Sequence, residues 1–200
     1  MNILHVNCSP RGQAGESRRL STKIVEHLLK SAAGATLVHR DLGGSPIAHI
    51  DGNYAHVQHR LAPAAGEDGT MCTSDVLIRE LDAADVVVIG TPMHNVAVPS
   101  VLKAWIDHIV RAGRTFSVGP QGKVGLLRDR PVFIGVASGG KFSGPRARQP
   151  DFLTPYLKFI LGTIGLRNLT FFSVEGTGGG PDAVREAWGR TDLALRAHFR

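Results

Sequence analysis

The chain has 200 residues, of which 42% are hydrophobic and 20% charged, a balance that suits one large folded domain and excludes wholesale disorder. No apolar run reaches the roughly 18 residues that a membrane-spanning helix needs, so we expect no membrane partner. The formal net charge of +6 is spread along the chain, with no long basic block, no zinc-ligand spacing and few aromatic residues, which argues against nucleic acid as a partner.

The cysteines and the N-terminal residues bear on the cellular compartment. Cys8 and Cys72 form neither a disulfide framework nor a metal-ligand spacing, so a reducing compartment is expected. Residues 1–8 form a strand-like run and the start of a polar loop, without the basic leader, long apolar stretch and cleavage site of a signal peptide. We therefore expect residue 1 to begin the folded protein and the protein to be cytoplasmic.

Five short apolar runs have the composition of strands, and in chain order they span residues 3–7, 35–40, 85–90, 131–137 and 169–174. Helical spacing of apolar residues follows each run, in segments that begin near residues 17, 74, 99, 152 and 181. The run 85–90 is β-branched and lacks alternation, which is typical of a central parallel strand covered on both faces. The pattern predicts an α/β fold, a doubly wound five-stranded parallel sheet with helices on both faces, in a single domain over residues 1–200.

Two segments depart from this alternation. Residues 43–70 are rich in Gly, Pro, Ala and His, and we expect a surface excursion with one helical turn. Residues 113–127 are rich in glycine and predict a hairpin-like insertion. Trp105, Trp188 and Phe159 lie on apolar helix faces, so core packing is expected for each, with a subunit interface as a second role for Trp105.

The predicted topology locates the candidate site. In open parallel sheets, ligands bind beyond the carboxyl ends of the strands. The loops after the first, third and fourth predicted strands, at residues 9–17, 91–98 and 138–145, are therefore the candidates. The pair His56 and His59 lacks a carboxylate-rich partner set, so no metal site is expected.

The first of these loops precedes a helix, whose N-terminal N–H groups and partial positive charge suit a phosphate. Ser9 and Ser17 add hydroxyl donors, and Arg11 and Arg18 add charge. Neither a dinucleotide fingerprint nor a Walker sequence is present, so a single phosphate is the better fit. The alternative is an ordinary capped strand-to-helix loop.

The other two loops suit a planar heterocycle. Asn95 offers a donor and an acceptor for a ring edge, and Met93 offers a soft apolar surface. Gly139 and Gly140, which follow Ser138, let the backbone approach a ring closely. His94 is either a hydrogen-bonded bystander or a catalytic acid, and the latter is the rarer case for a lone loop histidine.

Several segments together resemble one family. They are Ser9-Pro10-Arg11, Pro92-Met93-His94-Asn95, Ala112-Gly113-Arg114-Thr115-Phe116 and Ser138-Gly139-Gly140, which occur in order along nearly the whole chain. In these segments the chain resembles the FMN-dependent NADH:azoreductases, a branch of the flavodoxin-like NAD(P)H:quinone oxidoreductases. The resemblance implies a flavodoxin-like fold and a bound FMN cofactor.

The resemblance also implies roles for residues. The residues expected at the FMN phosphate are Ser9, Arg11, Gly15 and Ser17. Those expected along the flavin ring are Pro92, Met93, His94, Asn95 and Val96. Those expected at the pyrimidine end of the ring are Ser138, Gly139 and Gly140. NADH or NADPH would be the co-substrate, and a quinone or azo compound the acceptor. The two would use one pocket in turn, by ping-pong kinetics without a dedicated acid–base pair. A homodimer is also implied.

The chain departs from the family pattern at three places. Gly15 stands where the family commonly has a further serine, His94 stands where it often has tyrosine, and the loop after Ser138 is shorter. These differences bear on FMN affinity and substrate choice. Three alternatives stay open at this point. They are an NADPH-dependent FMN reductase that treats flavin as a substrate, a non-catalytic carrier of the flavodoxin type, and a nucleotide-sensing or nucleic-acid-linked binding module that keeps the fold without turnover.

Overall fold

In this computed structural model the backbone is described for residues 1–60 and 69–200, and side chains for the same residues except 57–60. The strands are β1 (Asn2–Asn7), β2 (Thr36–Asp41), β3 (Val86–Pro92), β4 (Phe116–Gly119), β5 (Gly122–Gly125), β6 (Val132–Ser138) and β7 (Leu169–Glu175). The α-helices are α1 (Glu16–Ser31), α2 (Gly52–Arg60), α3 (Thr70–Ala83), α4 (Ser100–Ile109), α5 (Leu153–Thr163) and α6 (Pro181–His198). No helix among these described residues is long and apolar enough to cross a bilayer.

Five strands form a parallel sheet in the order β2-β1-β3-β6-β7. This is the flavodoxin-like strand order, in which successive strands are added on one side of β1 and then on the other, with the switch point between β1 and β3. The predicted five-stranded doubly wound sheet is therefore confirmed. The predicted insertion is also confirmed, because β4 and β5 pair antiparallel as a separate hairpin.

Helices cover both faces of the sheet, and each face has its own apolar core. Side chains of α3, α4 and α5 pack on one face, with Trp105 at 1% exposure among them. Side chains of α1 and α6 pack on the other face, where Trp188 is 5% exposed. Core packing is thus confirmed for both tryptophans, and the burial of Trp105 leaves it no surface for a subunit interface.

The core prediction for Phe159 was wrong, because its side chain is 74% exposed. Leu153, Leu157 and Leu161 are the buried residues of α5, at a spacing of four, and belong to the core on this face of the sheet. Residue 159 lies two positions from residue 157, which is more than half a helical turn and points away from that stripe.

Two predicted helix boundaries also differ. The helix expected to open at Ser74 begins at Thr70, since Met71 is only 5% exposed and extends the buried stripe by one turn. The excursion expected to hold one helical turn contains the nine-residue helix α2, which Asp51 begins by accepting a hydrogen bond (2.8 Å) from the backbone N–H of Tyr54. Residues 61–68 of the excursion lie outside the described residues.

Candidate functional site

Three loops converge at the carboxyl edge of the sheet because the strands that precede them are neighbours. β1 pairs with β3 and β3 with β6, each in parallel register. The pairing continues past the strand ends, where Cys8 N donates to Gly90 O at 2.9 Å and Met93 N donates to Ala137 O at 2.8 Å. The predicted site residues in the loops after β1, β3 and β6 therefore share one edge of the molecule.

The loop after β1 contains a short 3-10 turn over Gly12–Ala14 and then enters α1. Ser17, in the first turn of α1, is 1% exposed, and its Oγ has no hydrogen-bond partner among the described residues. A buried hydroxyl without a partner is costly, and at a helix N-terminus it is suited to an anion. This unpaired Oγ fits a phosphate and is not explained by ordinary helix capping.

Gly15 owes its identity to the packing of Ser9. A Cβ atom built on Gly15 would lie 2.1 Å from Oγ of Ser9, whose side chain is 3% exposed. The Ser9 hydroxyl accepts a hydrogen bond from the N–H of Arg11 at 3.3 Å. The buried Ser9 side chain thus takes the volume that any side chain at residue 15 would need.

The two arginines of this loop have different surroundings. Arg18 forms an ion pair with Asp41 at 2.7 Å, and Asp41 also accepts from the N–H of Gly44 at 3.1 Å. Partial burial tends to raise the pKa of Asp41, but the hydrogen bonds from Arg18 and Gly44 outweigh it and hold that pKa below its usual value. Arg11 is exposed and forms no ion pair within the described part of the chain. Arg11 is thus the cation that an incoming anion can engage at lower cost.

The loop after β3 is a tight turn with a strained backbone. His94 and Ala97 exchange two backbone hydrogen bonds, of 3.0 and 2.9 Å, around Asn95 and Val96. Both central residues have positive φ, 48° and 62°, as in the hairpin turns that normally use glycine or asparagine. A β-branched residue with positive φ is a genuine outlier, and such strain clusters at ligand sites. The turn presents the exposed side chain of Asn95 beside Met93, which is 8% exposed.

His94 and Cys8 also lie at this edge of the sheet. The His94 ring is exposed and makes no hydrogen bond to a described residue, so no neighbour orients it as an acid. Cys8 is fully buried and packs at the end of β1, and this burial raises the pKa of its thiol. Among the described residues no cluster of His, Cys, Asp and Glu could hold a metal ion. The His59 side chain lies outside the described residues.

The loop after β6 is fixed by the loop after β7. Gly178 N donates to Gly139 O and Gly176 N to Gly140 O, both at 3.1 Å. The hydroxyl of Thr177 donates to Ser138 O, also at 3.1 Å. Three consecutive carbonyl groups are thus tied toward residues 176–178, which holds the glycine backbone rigidly at the edge of the site.

Glu175 anchors the continuation of this loop, a role that was not predicted from the sequence. Its carboxylate accepts from the N–H groups of Phe142 (2.8 Å) and Ser143 (3.1 Å) and from the hydroxyls of Ser143 and Ser173. Partial burial by itself raises the pKa of Glu175, but these hydrogen bonds, led by that from Ser143, lower it below the usual value. Glu175 is therefore ionised at neutral pH and acts as a structural anchor.

Gln149 also has contacts at the site that were not predicted from the sequence. Its side-chain amide donates to Ser138 Oγ at 3.0 Å and approaches Met93 Sδ at 3.1 Å. It therefore contacts the loop after β3 and the loop after β6 at once.

Three features of this edge suit a flavin nucleotide. The Ser17 hydroxyl, which has no partner among the described residues, suits the phosphate. The exposed amide of Asn95 suits a heterocycle edge. The fixed diglycine, Gly139 and Gly140, lets the backbone approach a ring. The carboxyl edge of neighbouring parallel strands brings these three features together.

Comparison with known proteins agrees with this geometry. The model of the Flavodoxin-like fold family matches residues 1–199. An FMN-dependent NADH:quinone oxidoreductase of Pseudomonas fluorescens is 46% identical over 99% of this chain and 96% of its own length. Another, of Cupriavidus pinatubonensis, is 41% identical over 98% of both chains. The crystal structure of an azoreductase from Bacillus anthracis has the same fold, with a TM-score of 0.85 at 24% identity over 98% of each chain. The chain belongs to the FMN-dependent NADH:quinone oxidoreductase and azoreductase family of flavodoxin-like enzymes.

Proposed function

We propose that this enzyme binds FMN at the carboxyl edge of its sheet and transfers two electrons from NADH or NADPH to quinones and azo compounds by a ping-pong mechanism. The observation that carries the proposal is the buried Oγ of Ser17 in the first turn of α1, which has no hydrogen-bond partner among the described residues. It lies at the same edge of the sheet as the strained turn at Asn95 and Val96. Relatives that are 46% and 41% identical are named for FMN, NADH and quinone.

Each group of site residues has a task in this proposal. Ser9, Arg11 and Ser17 would hold the phosphate, with Gly15 leaving room for the Ser9 side chain. Pro92, Met93, His94, Asn95 and Val96 would line the ring, and Ser138, Gly139 and Gly140 would meet its pyrimidine end. Bound FMN supplies the two-electron redox chemistry. The chain supplies orientation, and no dedicated acid–base pair is proposed because the redox chemistry would belong to the flavin. Donor and acceptor would occupy one pocket in turn, which gives ping-pong kinetics.

A basic cavity beside the diglycine supports a nucleotide co-substrate. The cavity has a volume of about 520 Å³, and its wall includes Gly139, Gly140, Lys141 and Arg148. The side chains of Lys141 and Arg148 form no ion pair with a described residue. Cations beside the flavin loop would attract the phosphates of a dinucleotide whose nicotinamide lies on the ring.

Exposed apolar side chains support the proposal of a homodimer. Phe159 on α5, Val118 on β4 and Leu126 after β5 are 74%, 72% and 50% exposed. Helix α5 contacts β5, so these side chains lie on neighbouring elements, and a contiguous exposed apolar surface is a mark of a protein interface. Sedimentation equilibrium would return twice the monomer mass of 21.4 kDa if the proposal is right and the monomer mass if it is wrong.

The alternative of an FMN reductase is favoured by one feature, the absence of a hydroxyl at Gly15. Steady-state kinetics separates it from the proposed function. With protein-bound FMN and no free flavin, NADH oxidation should depend on added quinone, and double-reciprocal plots at several quinone concentrations should be parallel. Turnover only with added free FMN would favour the reductase. Absence of turnover with retained FMN would favour a carrier, which the charge of +6 does not support since such carriers dock through acidic faces.

A further inference from the structure

Residues 141–152 form a loop that leaves the site and returns to it. Glu175 holds the start of the loop through Phe142, and Arg148 N donates to Lys141 O at 2.8 Å, which closes the loop on itself. At the returning end, Phe152 N donates to Val96 O at 3.1 Å, and Asp151 caps α5. Gln149 lies just before this anchored end, so its backbone position is fixed from both sides.

The carboxamide of Gln149 lies between the two loops assigned to the flavin ring. Its Nε2 lies 3.0 Å from Ser138 Oγ and 3.1 Å from Met93 Sδ. Its Oε1 lies against the backbone of residue 140, since a Cβ atom built on Gly140 would come within 2.1 Å of that oxygen. One planar group therefore contacts Met93, Ser138 and Gly140, residues from both loops.

Holding the strands together does not require this amide. The backbone bond from Met93 N to Ala137 O (2.8 Å) and the continuous β3–β6 register already join the two strand ends. The side-chain contacts instead fix the orientation of the Met93 thioether and the Ser138 hydroxyl. In addition, Oε1 of Gln149 accepts no hydrogen bond from any residue that the structure describes. An acceptor held at a glycine backbone suits an N–H donor in a ring edge.

We propose that Gln149 is a positioning residue of the flavin site, which sets the spacing of Met93 and Ser138 and offers Oε1 to the imide N–H of the flavin pyrimidine ring. The proposal rests on the proposed FMN site and adds to it a residue outside the family motifs. It also accounts for Gly140, because any larger residue there would displace the Gln149 amide.

The test compares Gln149→Leu, Gln149→Glu and Gln149→Asn with a control, Gln121→Leu, at the exposed turn of the β4–β5 hairpin. FMN dissociation constants are measured by quenching of flavin fluorescence on apoprotein, and the flavin midpoint potential by equilibration with redox dyes. Loss of the acceptor in Gln149→Leu should raise the FMN dissociation constant about tenfold. The carboxylate of Gln149→Glu should lower the midpoint potential, since negative charge beside the ring opposes its reduction. Gln149→Asn, whose amide is one methylene shorter, should weaken FMN binding by a smaller factor.

A purely structural role of Gln149 predicts a different result. Gln149→Leu would then lower the melting temperature of the apoprotein, while its FMN dissociation constant and flavin midpoint potential would equal those of the Gln121→Leu control. That outcome overturns the proposal. If Gln149→Leu does not fold, the potential of Gln149→Glu and the affinity of Gln149→Asn decide in the same way. A wild-type apoprotein that binds no FMN would instead refute the proposed function, before any variant is compared.

Discussion

Replacing Ser17 with alanine separates the needs of the folded apoprotein from the needs of the ligand. Oγ of Ser17 is buried without a partner in the described residues, so the apoprotein bears the cost of its desolvation. An unsatisfied buried hydroxyl costs about 1–3 kcal/mol, and alanine is also the better helix former. We therefore expect Ser17→Ala to raise the free energy of unfolding of the apoprotein by about 1 kcal/mol.

The same change should weaken FMN binding. A hydrogen bond to a charged group contributes about 1.5–3 kcal/mol, so losing the one from Ser17 to the phosphate should raise the FMN dissociation constant about 10- to 100-fold. Urea unfolding of the apoprotein measures the first effect and fluorescence titration with FMN the second. Opposite signs for stability and affinity are the expected result.

Ser21, one turn further along α1, supplies the matched control. Its buried Oγ lies 2.8 Å from Nε2 of His5 and donates to Arg18 O at 3.0 Å. Ser21→Ala should therefore lower the stability of the apoprotein by about 1–3 kcal/mol and leave FMN affinity nearly unchanged. If Ser17→Ala instead behaves like Ser21→Ala, losing stability and keeping FMN affinity, the assignment of Ser17 to the phosphate is refuted.

Three further predictions follow from particular contacts. Burial, reinforced by His39 and Arg18, lowers the pKa of His5 from 6.5 to about 4. Between these values the unfolded chain binds a proton at His5 that the folded chain does not, so the free energy of unfolding decreases as the pH is lowered. Between pH 7 and pH 4, the free energy of unfolding measured in urea should decrease by about 3 kcal/mol more in the wild type than in His5→Gln. Equal decreases in the two proteins would contradict this prediction. A Cβ atom at residue 90 would lie 2.3 Å from Ser21 Oγ and 2.9 Å from a backbone oxygen of α1. Gly90→Ala should therefore lower the free energy of unfolding by about 1–3 kcal/mol, measured by thermal unfolding. An unchanged melting temperature would mean that α1 shifts on β3 without cost. Arg148, in the wall of the basic cavity, should contribute to co-substrate binding, so Arg148→Ala should raise the KM for NADH several-fold at low salt and leave kcat near its wild-type value. A KM equal to that of the wild type at every salt concentration would show that this cavity does not bind the co-substrate.

Much of the fold could be predicted because its signals are local. The β-branched run of β3 indicated a central strand, and the α1 stripe that includes Leu20 and Ile24 indicated a helix on a core. Phe159 was misassigned because an apolar residue on a helix need not share the buried stripe, which only the i, i+4 positions of α5 define. Helix α2 was underestimated because its sequence has little apolar periodicity, and among its described side chains Tyr54 is the one that is buried.

At the site, the sequence predicted the loops but not what holds them. Ser17 could be identified because a serine at a helix start is a local signal. Gln149 and Glu175 act across 56 and 33 residues of chain, on Met93 and Phe142, and no spacing rule connects such pairs. The positive φ of Val96 also opposes local preference, since a β-branched residue normally avoids that conformation. These residues owe their roles to tertiary contacts at the ligand edge.

The central claim, that bound FMN carries electrons from a nicotinamide nucleotide to a quinone, is tested most directly by an anaerobic visible spectrum. The protein is supplied with FMN, desalted, and recorded before NADH, after NADH and after a quinone. We expect a retained flavin spectrum that bleaches with NADH and returns in full on adding the quinone. A protein that retains no flavin, or whose flavin is bleached by neither NADH nor NADPH, would contradict the account.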